Sequence, residues 1–369
     1  MVKTPRPKRI LLLNWRDTRH EDAGGAEVYA YELARRWKRD GHEVRMFCGN
    51  DGHSPRHETI DGVEIIRRGG FNFVYAWAFL YYITKLRKHT DIIVDCHNGI
   101  PFFTPLYSRK PVTCVVHHVH QEVFKQYMKT GPAQLAAWLE RVAMPFVYRK
   151  CQYITVSESS KEGMVQELGI NADHIRIVHN GIDLEHFVPG PKAASPTILY
   201  LGRLKAYKSV DVLVKAFASV LAKQPDAQLV IGGTGDAEPS LKKLVAELNL
   251  QDHVIFHGYV SEDDKVRLMQ EAWVFCSPSY AEGWGITIIE ANACGTPVVA
   301  SNVPGLKESV RPPLSGFLEL YGDVNAFADK LLYVLHDQKT RDDMSKTART
   351  WASRFNWQDS AMKFLEVIT

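Results

Sequence analysis

The sequence predicts an α/β protein made of two units with parallel sheets, facing each other across a cleft. Three observations predict it. Short apolar runs alternate with longer amphipathic stretches along the whole chain, the pattern of alternating strands and helices. That rhythm pauses over His186 to Pro196, which carries three prolines, a glycine and two adjacent alanines, and then restarts; such a stretch reads as a linker. The chain has 369 residues, and at roughly 150 residues per domain that is room for two units, each able to bury a core.

In the first half, Arg9 to Asn14 reads as a buried strand, followed by a glycine-containing loop and a helix from about Ala26 to Asp40. Gly41 stands where a helix C-cap is expected. Glu43 to Cys48, Asp91 to Cys96, Val112 to Val116 and Tyr153 to Val156 are further strands, the last running into a serine-rich helix start at Ser157 to Ser160. In the second half, Thr197 to Leu201 is a strand, Val210 to Lys223 a helix, and Gln228 to Ile231 a strand that ends in Gly232-Gly233-Thr234-Gly235. A helix over about Pro239 to Asn249 and strands at Val254 to His257, Trp273 to Ser277 and Pro297 to Ser301 complete the set. Ligands of open α/β sheets lie beyond the carboxyl ends of the strands, so the cleft is the expected site.

Composition narrows the function classes. Hydrophobic residues are 45% and charged residues 24%, ordinary for a soluble globular protein and unlike a disordered or collagen-like chain. The net charge of +3 is too balanced for a dedicated nucleic-acid binder. Residues 1–185 carry a net +5 and the remainder −2, which fits an anionic acceptor or membrane surface weakly and a solvated face equally well. Cys48, Cys96, Cys114, Cys151, Cys276 and Cys294 form no C-x-x-C pair. They read as buried, reduced thiols of a cytoplasmic protein.

The run Ile10 to Leu13 is too short for a signal-peptide core. The most apolar window, Phe71 to Ile83, is followed by Lys85, Arg87 and Lys88. It falls short of the roughly 20 residues that span a bilayer. Two readings stand for it: a core-facing helix with a basic end, or a segment lying on a membrane surface, hence a cytoplasmic protein peripheral to the inner face of the membrane.

Three segments carry chemistry. Glu282-Gly283-Trp284-Gly285-Ile286-Thr287-Ile288-Ile289-Glu290 places two glycines, which let a ligand approach the backbone, before an apolar run that reads as a buried helix. Its free N–H groups and dipole favour a phosphate. Glu282 and Glu290 can both face one ligand, and a carboxylate suits the vicinal hydroxyls of a sugar or a ribose. The plain alternative is an exposed Glu282 and a Glu290 that complements the dipole. Gly202-Arg203-Leu204-Lys205-Ala206-Tyr207-Lys208 brings Arg203 and Lys208 to a strand's carboxyl end, where they can neutralise a pyrophosphate; Lys205 reads as solvated. Ala23-Gly24-Gly25-Ala26-Glu27 lies between the first strand and the first helix, a place for a phosphate. It lacks the G-x-G-x-x-G spacing of dinucleotide sites and the Lys-Ser/Thr of a P-loop.

Taken together, E-x7-E from Glu282 to Glu290, G-R-L-x-x-x-K from Gly202 to Lys208, Ala291 to Val299 and Asn180-Gly181-Ile182-Asp183 resemble the retaining glycosyltransferases of family 4. The resemblance covers nearly the whole chain. It implies the GT-B fold, two Rossmann-like α/β domains across a cleft: residues 1–186 for the acceptor, 187–350 for the nucleotide-sugar donor, and a C-terminal helix within 351–369 packing back on the first domain. The donor would be a UDP- or GDP-sugar. Gly202, Arg203 and Lys208 would hold its diphosphate, and Glu290 its ribose hydroxyls. Glu282, with the backbone of Gly283, Trp284 and Gly285, would position the transferred sugar, and the loop with Gly258 and Val260 would read the base. Trp284 stands where the family often has Phe. Gly24 and Gly25 would reach the diphosphate from the first domain.

The family also places a histidine near the reacting sugar. In Val115-Val116-His117-His118-Val119-His120 that match is His117, directly after the strand, with His118 as the rival. No carboxylate or thiol falls in this segment to complete a metal site, and family members of this fold generally work without one, so neither metal nor cofactor is expected. His97 reads as a structural histidine or a residue lining the acceptor side. The partners expected are a donor and a hydroxyl acceptor, with no nucleic acid; the oligomeric state is open. Rivals that share the architecture are nucleotide-sugar epimerases, phosphorylases and non-catalytic sugar-nucleotide binders.

Overall fold

Arg9–Leu13 forms strand β1, buried along nearly its whole length, as an unbroken apolar run requires. The computed structural model, which describes residues 7–21, 23–121, 124 and 130–369, divides into two units. One comprises the residues up to Gly181 together with Trp357–Thr369, the other Ile182–Asn356.

The first unit is built on an eight-stranded sheet, ordered β3-β4-β2-β1-β5-β6-β7-β8. Its strands are β1, β2 (Glu43–Cys48), β3 (His57–Ile60), β4 (Val63–Arg67), β5 (Ile92–His97), β6 (Val112–Val116), β7 (Gln152–Thr155) and β8 (Ile175–Ile177). All pairs are parallel except β3 with β4. That hairpin was not expected from the sequence. It turns through Asp61 and Gly62, both at positive φ, the backbone that a two-residue hairpin loop demands.

The helix Gly25–Arg39 buries Tyr29, Ala30, Leu33, Ala34 and Trp37, one face at helical spacing. It has Glu27 in its first turn and Arg36, Lys38 and Arg39 in its last, which suits the helix dipole. Trp357–Ile368 packs against it. Trp37 and Phe364 lie with ring centroids 5.0 Å apart, and Trp37 Nε1 donates to the carbonyl of Ala361 at 3.1 Å. The last helix therefore belongs to the core of the first unit.

The apolar window forms the helix Gly70–Tyr81, continued by a wider turn over Tyr82–Leu86. Val74, Ala78, Tyr82 and Leu86 are buried, while Phe73, Trp77, Phe79, Leu80 and Ile83 are exposed. One face serves the core and the other presents an apolar surface. Among the described residues no helix is long and apolar enough to cross a membrane. The cysteines are free and, apart from the half-buried Cys151, buried.

The second unit holds a six-stranded sheet, β9 (Thr197–Leu201), β10 (Gln228–Gly232), β11 (Val254–Gly258), β12 (Val274–Ser277), β13 (Val298–Ser301) and β14 (Gly316–Glu319). All its pairs are parallel, in the order β11-β10-β9-β12-β13-β14. This is the 3-2-1-4-5-6 order of a Rossmann fold, whose strand order reverses beside the first strand. Ile198, Leu213, Phe217, Leu229, Ile231 and Phe327 are in its core.

His186 to Pro196 is not a free linker. Lys192 Nζ donates to the carbonyl of Ala272 (2.8 Å) and to Thr296 Oγ1 (2.7 Å), and Ala193 N donates to the carbonyl of Glu271 at 2.9 Å. The segment has no regular structure of its own, yet these bonds fasten it to the second unit.

Candidate functional site

The strand order of the second unit reverses between β9 and β12, and the loops that follow these two strands carry most of the expected site residues. After β9, Gly202 leads to Arg203 and Lys208. After β12 come Ser279, Glu282 and the glycine pair. The two loops are tied by an ion pair between Lys208 Nζ and Glu282 Oε1, and Ser279 Oγ donates to the same carboxylate oxygen at 2.9 Å. Burial alone would pull the Lys208 ammonium down, but Glu282 outweighs it and holds Lys208 above the ordinary lysine value. A cation and an acceptor are thus fixed side by side, both partly buried. Arg203 is exposed, with its guanidinium reaching the Tyr207 hydroxyl at 3.1 Å.

The neighbouring strand ends close this corner. Gly202 N donates to the carbonyl of Gly232 (3.0 Å), Leu204 N to that of Thr234 (2.8 Å) and Gly233 N to that of Gly258 (2.7 Å). The glycine loop after β10 therefore lies directly against the loop carrying Arg203. A Cβ on Gly233 would stand 1.9 Å from the carbonyl oxygen of Gly202, which is why no side chain fits there. Val260 covers Gly232 from the β11 side. Lys205 pairs with Asp236 at 3.1 Å, so it is a bound surface charge.

Gly285 is the left-handed cap of the helix Ile286–Ala293. Behind the Glu282 loop, Gly305 lies so close that a Cβ would meet the carbonyl oxygen of Glu282 at 2.2 Å. Gly283 is half-buried. The Trp284 side chain is buried, edge-on to Phe355 with centroids 5.1 Å apart, so its indole anchors the loop and only its backbone is left for a ligand.

Glu290 projects from that helix and is buried. Its partner is not among the expected site residues. It is Lys265 of the helix Glu262–Glu271, whose Nζ donates to Glu290 Oε1 at 3.0 Å. The other oxygen, Oε2, has no hydrogen-bond partner among the described residues. Burial raises the Glu290 carboxyl above its ordinary value even against the pull of Lys265. A lysine in the first turn of a helix, where the dipole disfavours a cation, was the signal available in the sequence.

In the first unit the strand order reverses between β1 and β5, and the loops after these strands are joined by Asn98 Nδ2, which donates to Asn14 Oδ1 at 2.6 Å. Gly24 is the N-cap and Gly25 the first residue of the helix after β1. Gly24 N–H is taken by Glu27 Oε2 (2.8 Å), leaving the following first-turn amides to face an anion. His117 follows β6, buried edge-on against Tyr29 with centroids 5.2 Å apart. Its carbonyl accepts from Ser160 Oγ (2.7 Å), and its Nε2 makes no hydrogen bond among the described residues. Burial, with His118 and His120 adding, lowers it to about 3, so His117 is neutral at physiological pH.

The absence of a carboxylate near these histidines holds in the sequence and fails in the fold. Glu140 stands beside His120 and His97, and the three ligating atoms lie within 4.8 Å of one another. His97 Nε2 is 3.7 Å from Glu140 Oε1. Yet Glu140 already accepts hydrogen bonds from His120 N (2.8 Å), from the His120 ring at Nδ1 (3.0 Å) and from Gln121 Nε2 (2.7 Å). A ring nitrogen that donates to Glu140 has no lone pair for a cation. Glu140, His120 and Gln121 form a hydrogen-bonded network that His97 adjoins without joining, and burial pushes the Glu140 carboxyl up to about 7.

Comparison with known proteins places the chain. Residues 23–186 match the family described as Glycosyltransferase Family 4, and residues 182–351 match Glycosyl transferases group 1. A D-inositol 3-phosphate glycosyltransferase of Catenulispora acidiphila is 31% identical, the alignment covering 98% of this chain and 94% of the relative. The chain belongs to glycosyltransferase family 4. An uncharacterised glycosyltransferase of Methanocaldococcus jannaschii is 27% identical over 93% of this chain and 94% of its own length. Among solved structures, sucrose-phosphate synthase from Thermosynechococcus elongatus superposes with a TM-score of 0.83 at 24% identity, covering 97% of this chain and 98% of that one. Anabaena HepE, solved with UDP and glucose, gives 0.77 at 20% identity, with 97% and 98% covered. These likenesses establish the GT-B fold for this glycosyltransferase.

Proposed function

We propose that this glycosyltransferase moves a hexose from a nucleoside-diphosphate sugar, with UDP or GDP as the nucleotide, to an acceptor hydroxyl, and that it retains the anomeric configuration. The observation that carries the reading is the meeting of the Arg203–Lys208 loop with the Glu282–Glu290 loop where the strand order reverses, the place at which Rossmann sheets bind nucleotides. That HepE was solved with UDP-glucose supports the donor class.

Arg203 and Lys208 are assigned to the diphosphate and Gly202 to the turn that presents them. Glu282, with the amides of Gly283, Trp284 and Gly285, is assigned to the sugar, Glu290 to the ribose, and Gly258 with Val260 to the base. In the first unit, Gly24 and Gly25 are assigned to the diphosphate, Gly24 as the cap that opens the helix and Gly25 through its first-turn amide, and neutral His117 is assigned to the reacting sugar. When the bond from the anomeric carbon to phosphate oxygen breaks, negative charge grows on the departing diphosphate, and fixed cations stabilise it. The new bond forms on the same face, and the leaving oxygen takes the acceptor's proton, so neither a protein nucleophile nor a metal is needed. The acceptor is a glycan, a lipid-linked sugar or a small natural product.

We place the enzyme in the cytoplasm, peripheral to the membrane, with the exposed face of Phe73, Trp77, Phe79, Leu80 and Ile83 and the exposed cations Lys85, Arg87 and Lys88 on the lipid surface. Such a face gains from apolar insertion and anionic headgroups together. The test of the activity is a thermal-shift panel of nucleotide-sugars, in which a true donor raises the melting temperature. Product analysis by NMR of the anomeric proton follows. Arg203→Ala and Lys208→Ala are each expected to lower turnover by about 100-fold or more. Unchanged turnover in both would refute the assignment.

A further inference from the structure

Lys265 is the residue that the donor reading leaves without a task. Its ammonium is largely buried at the start of a helix, a costly place for a cation, and it is held by Glu290 Oε1 (3.0 Å) and Glu262 Oε2 (2.8 Å) above the ring of Phe187, 5.2 Å from its centroid. Glu262 is exposed, whereas Glu290 is buried. The Lys265–Glu290 pair therefore engages one oxygen of a buried carboxylate and leaves the other with no partner among the described residues. An idle buried acceptor is destabilising unless a ligand completes it. A ribose offers two adjacent hydroxyl donors, and only an ionised carboxylate has acceptor sites for both in addition to the lysine.

We propose that Lys265 is a positioning residue for the donor, holding Glu290 ionised and fixed through Oε1 so that the carboxylate takes up the vicinal hydroxyls of the ribose. Lys265 itself touches no donor atom. Without it, Glu290 is an uncompensated buried charge that takes up a proton or turns away, and in either state it loses acceptor capacity toward the sugar ring. The inference rests on the assignment of Glu290 to a nucleotide ribose.

The test is calorimetric binding of UDP and GDP to the full chain, followed by the 2′,3′-dideoxy counterpart of the tighter of the two, on wild type, Lys265→Met and Lys265→Arg. Lys265→Met is expected to weaken the ribonucleotide by about 10- to 100-fold, the scale of a hydrogen bond to a charged group. It should leave the dideoxy nucleotide within about twofold, with Lys265→Arg recovering most of the loss. Equal weakening of both nucleotides would mean a general structural role and would overturn the proposal, as would unchanged ribonucleotide binding. Should Lys265→Met not fold, as judged by its melting curve, Lys265→Gln replaces it with the same two outcomes. A wild-type protein that binds neither UDP nor GDP refutes the donor assignment and with it this one. Wild-type binding that Lys265→Met leaves intact refutes only the role of Lys265.

Discussion

Gly233→Ala tests whether the close approach of two glycine loops builds the diphosphate corner. The new Cβ would stand 1.9 Å from the carbonyl oxygen of Gly202 and 2.9 Å from its carbon. Non-bonded atoms prefer about 3.5 Å, so the two backbones must part by more than about 1 Å. Overpacking of this kind costs about 1–3 kcal/mol. The residue also has φ at +128°, which adds about 1–3 kcal/mol for any side chain, a total near 4 kcal/mol. Gly322→Ala is the control: its φ is +80° but nothing lies within 4 Å of the new Cβ, leaving a backbone cost of about 1–2 kcal/mol. At about 2–4 °C per kcal/mol for a unit of this size, Gly233→Ala should melt roughly 10 °C below wild type and Gly322→Ala roughly 4 °C below. Because Gly202 leads directly into Arg203, the first variant should also bind a nucleoside diphosphate at least about tenfold more weakly, and the second should not. Melting by circular dichroism and calorimetric binding read both effects. Equal melting temperatures with equal nucleotide affinity would refute the reasoning.

Two further outcomes follow from the first unit. Burial holds His120 at about 4, His117 at about 3 and His97 well below the ordinary 6.5, so the folded form binds fewer protons than the unfolded one. Their stabilisation is complete above about pH 6.5 and is lost as pH falls toward 4, on the order of 3 kcal/mol each for His117 and His120. Glu140, raised to about 7, and Asp95, whose carboxyl burial also raises, act in the opposite sense, Glu140 between about pH 4.5 and 7, as two groups against three. Urea midpoints from pH 8 to pH 4 should decline, and a flat profile would contradict this balance. Zinc or EDTA should leave the melting temperature unchanged, because Glu140 already accepts three hydrogen bonds. Stabilisation that grows with zinc concentration would show that His97, His120 and Glu140 take a cation instead.

The central strands were legible because a strand buried on both faces is a continuous apolar run. β2, β6 and β9, and the helix Val210–Lys223, have the bounds read from sequence. The strands β3, β4, β8 and β14 were not legible, since His57, Glu58 and Thr59 at the sheet edge alternate between half-buried and exposed, β4 is reached only through its hairpin with β3, and β8 has three residues. The Asp61-Gly62 pair, with both residues at positive φ, is the local signal of the β3–β4 hairpin. Site loops were legible through their glycines and charges, but their partners were not. Lys208 meets Glu282 across 74 positions, Lys265 meets Glu290 across 25 and His120 meets Glu140 across 20. No local spacing encodes such pairs; only the order of strands in the sheets brings them together.

The path of the backbone has a consequence for biosynthesis. A ribosome releases every residue of the second unit before Trp357, whose backbone nitrogen lies so near Gly181 that a Cβ there would come within 2.3 Å. Until Phe364 emerges, the stripe on the helix Gly25–Arg39 that carries Tyr29 and Trp37 lacks its cover. Domains generally mature in the order of translation, but here the earlier half is finished last. A nascent chain arrested before this final segment leaves large aromatic rings open to water, so premature termination near the carboxyl end damages the opposite end of the polypeptide.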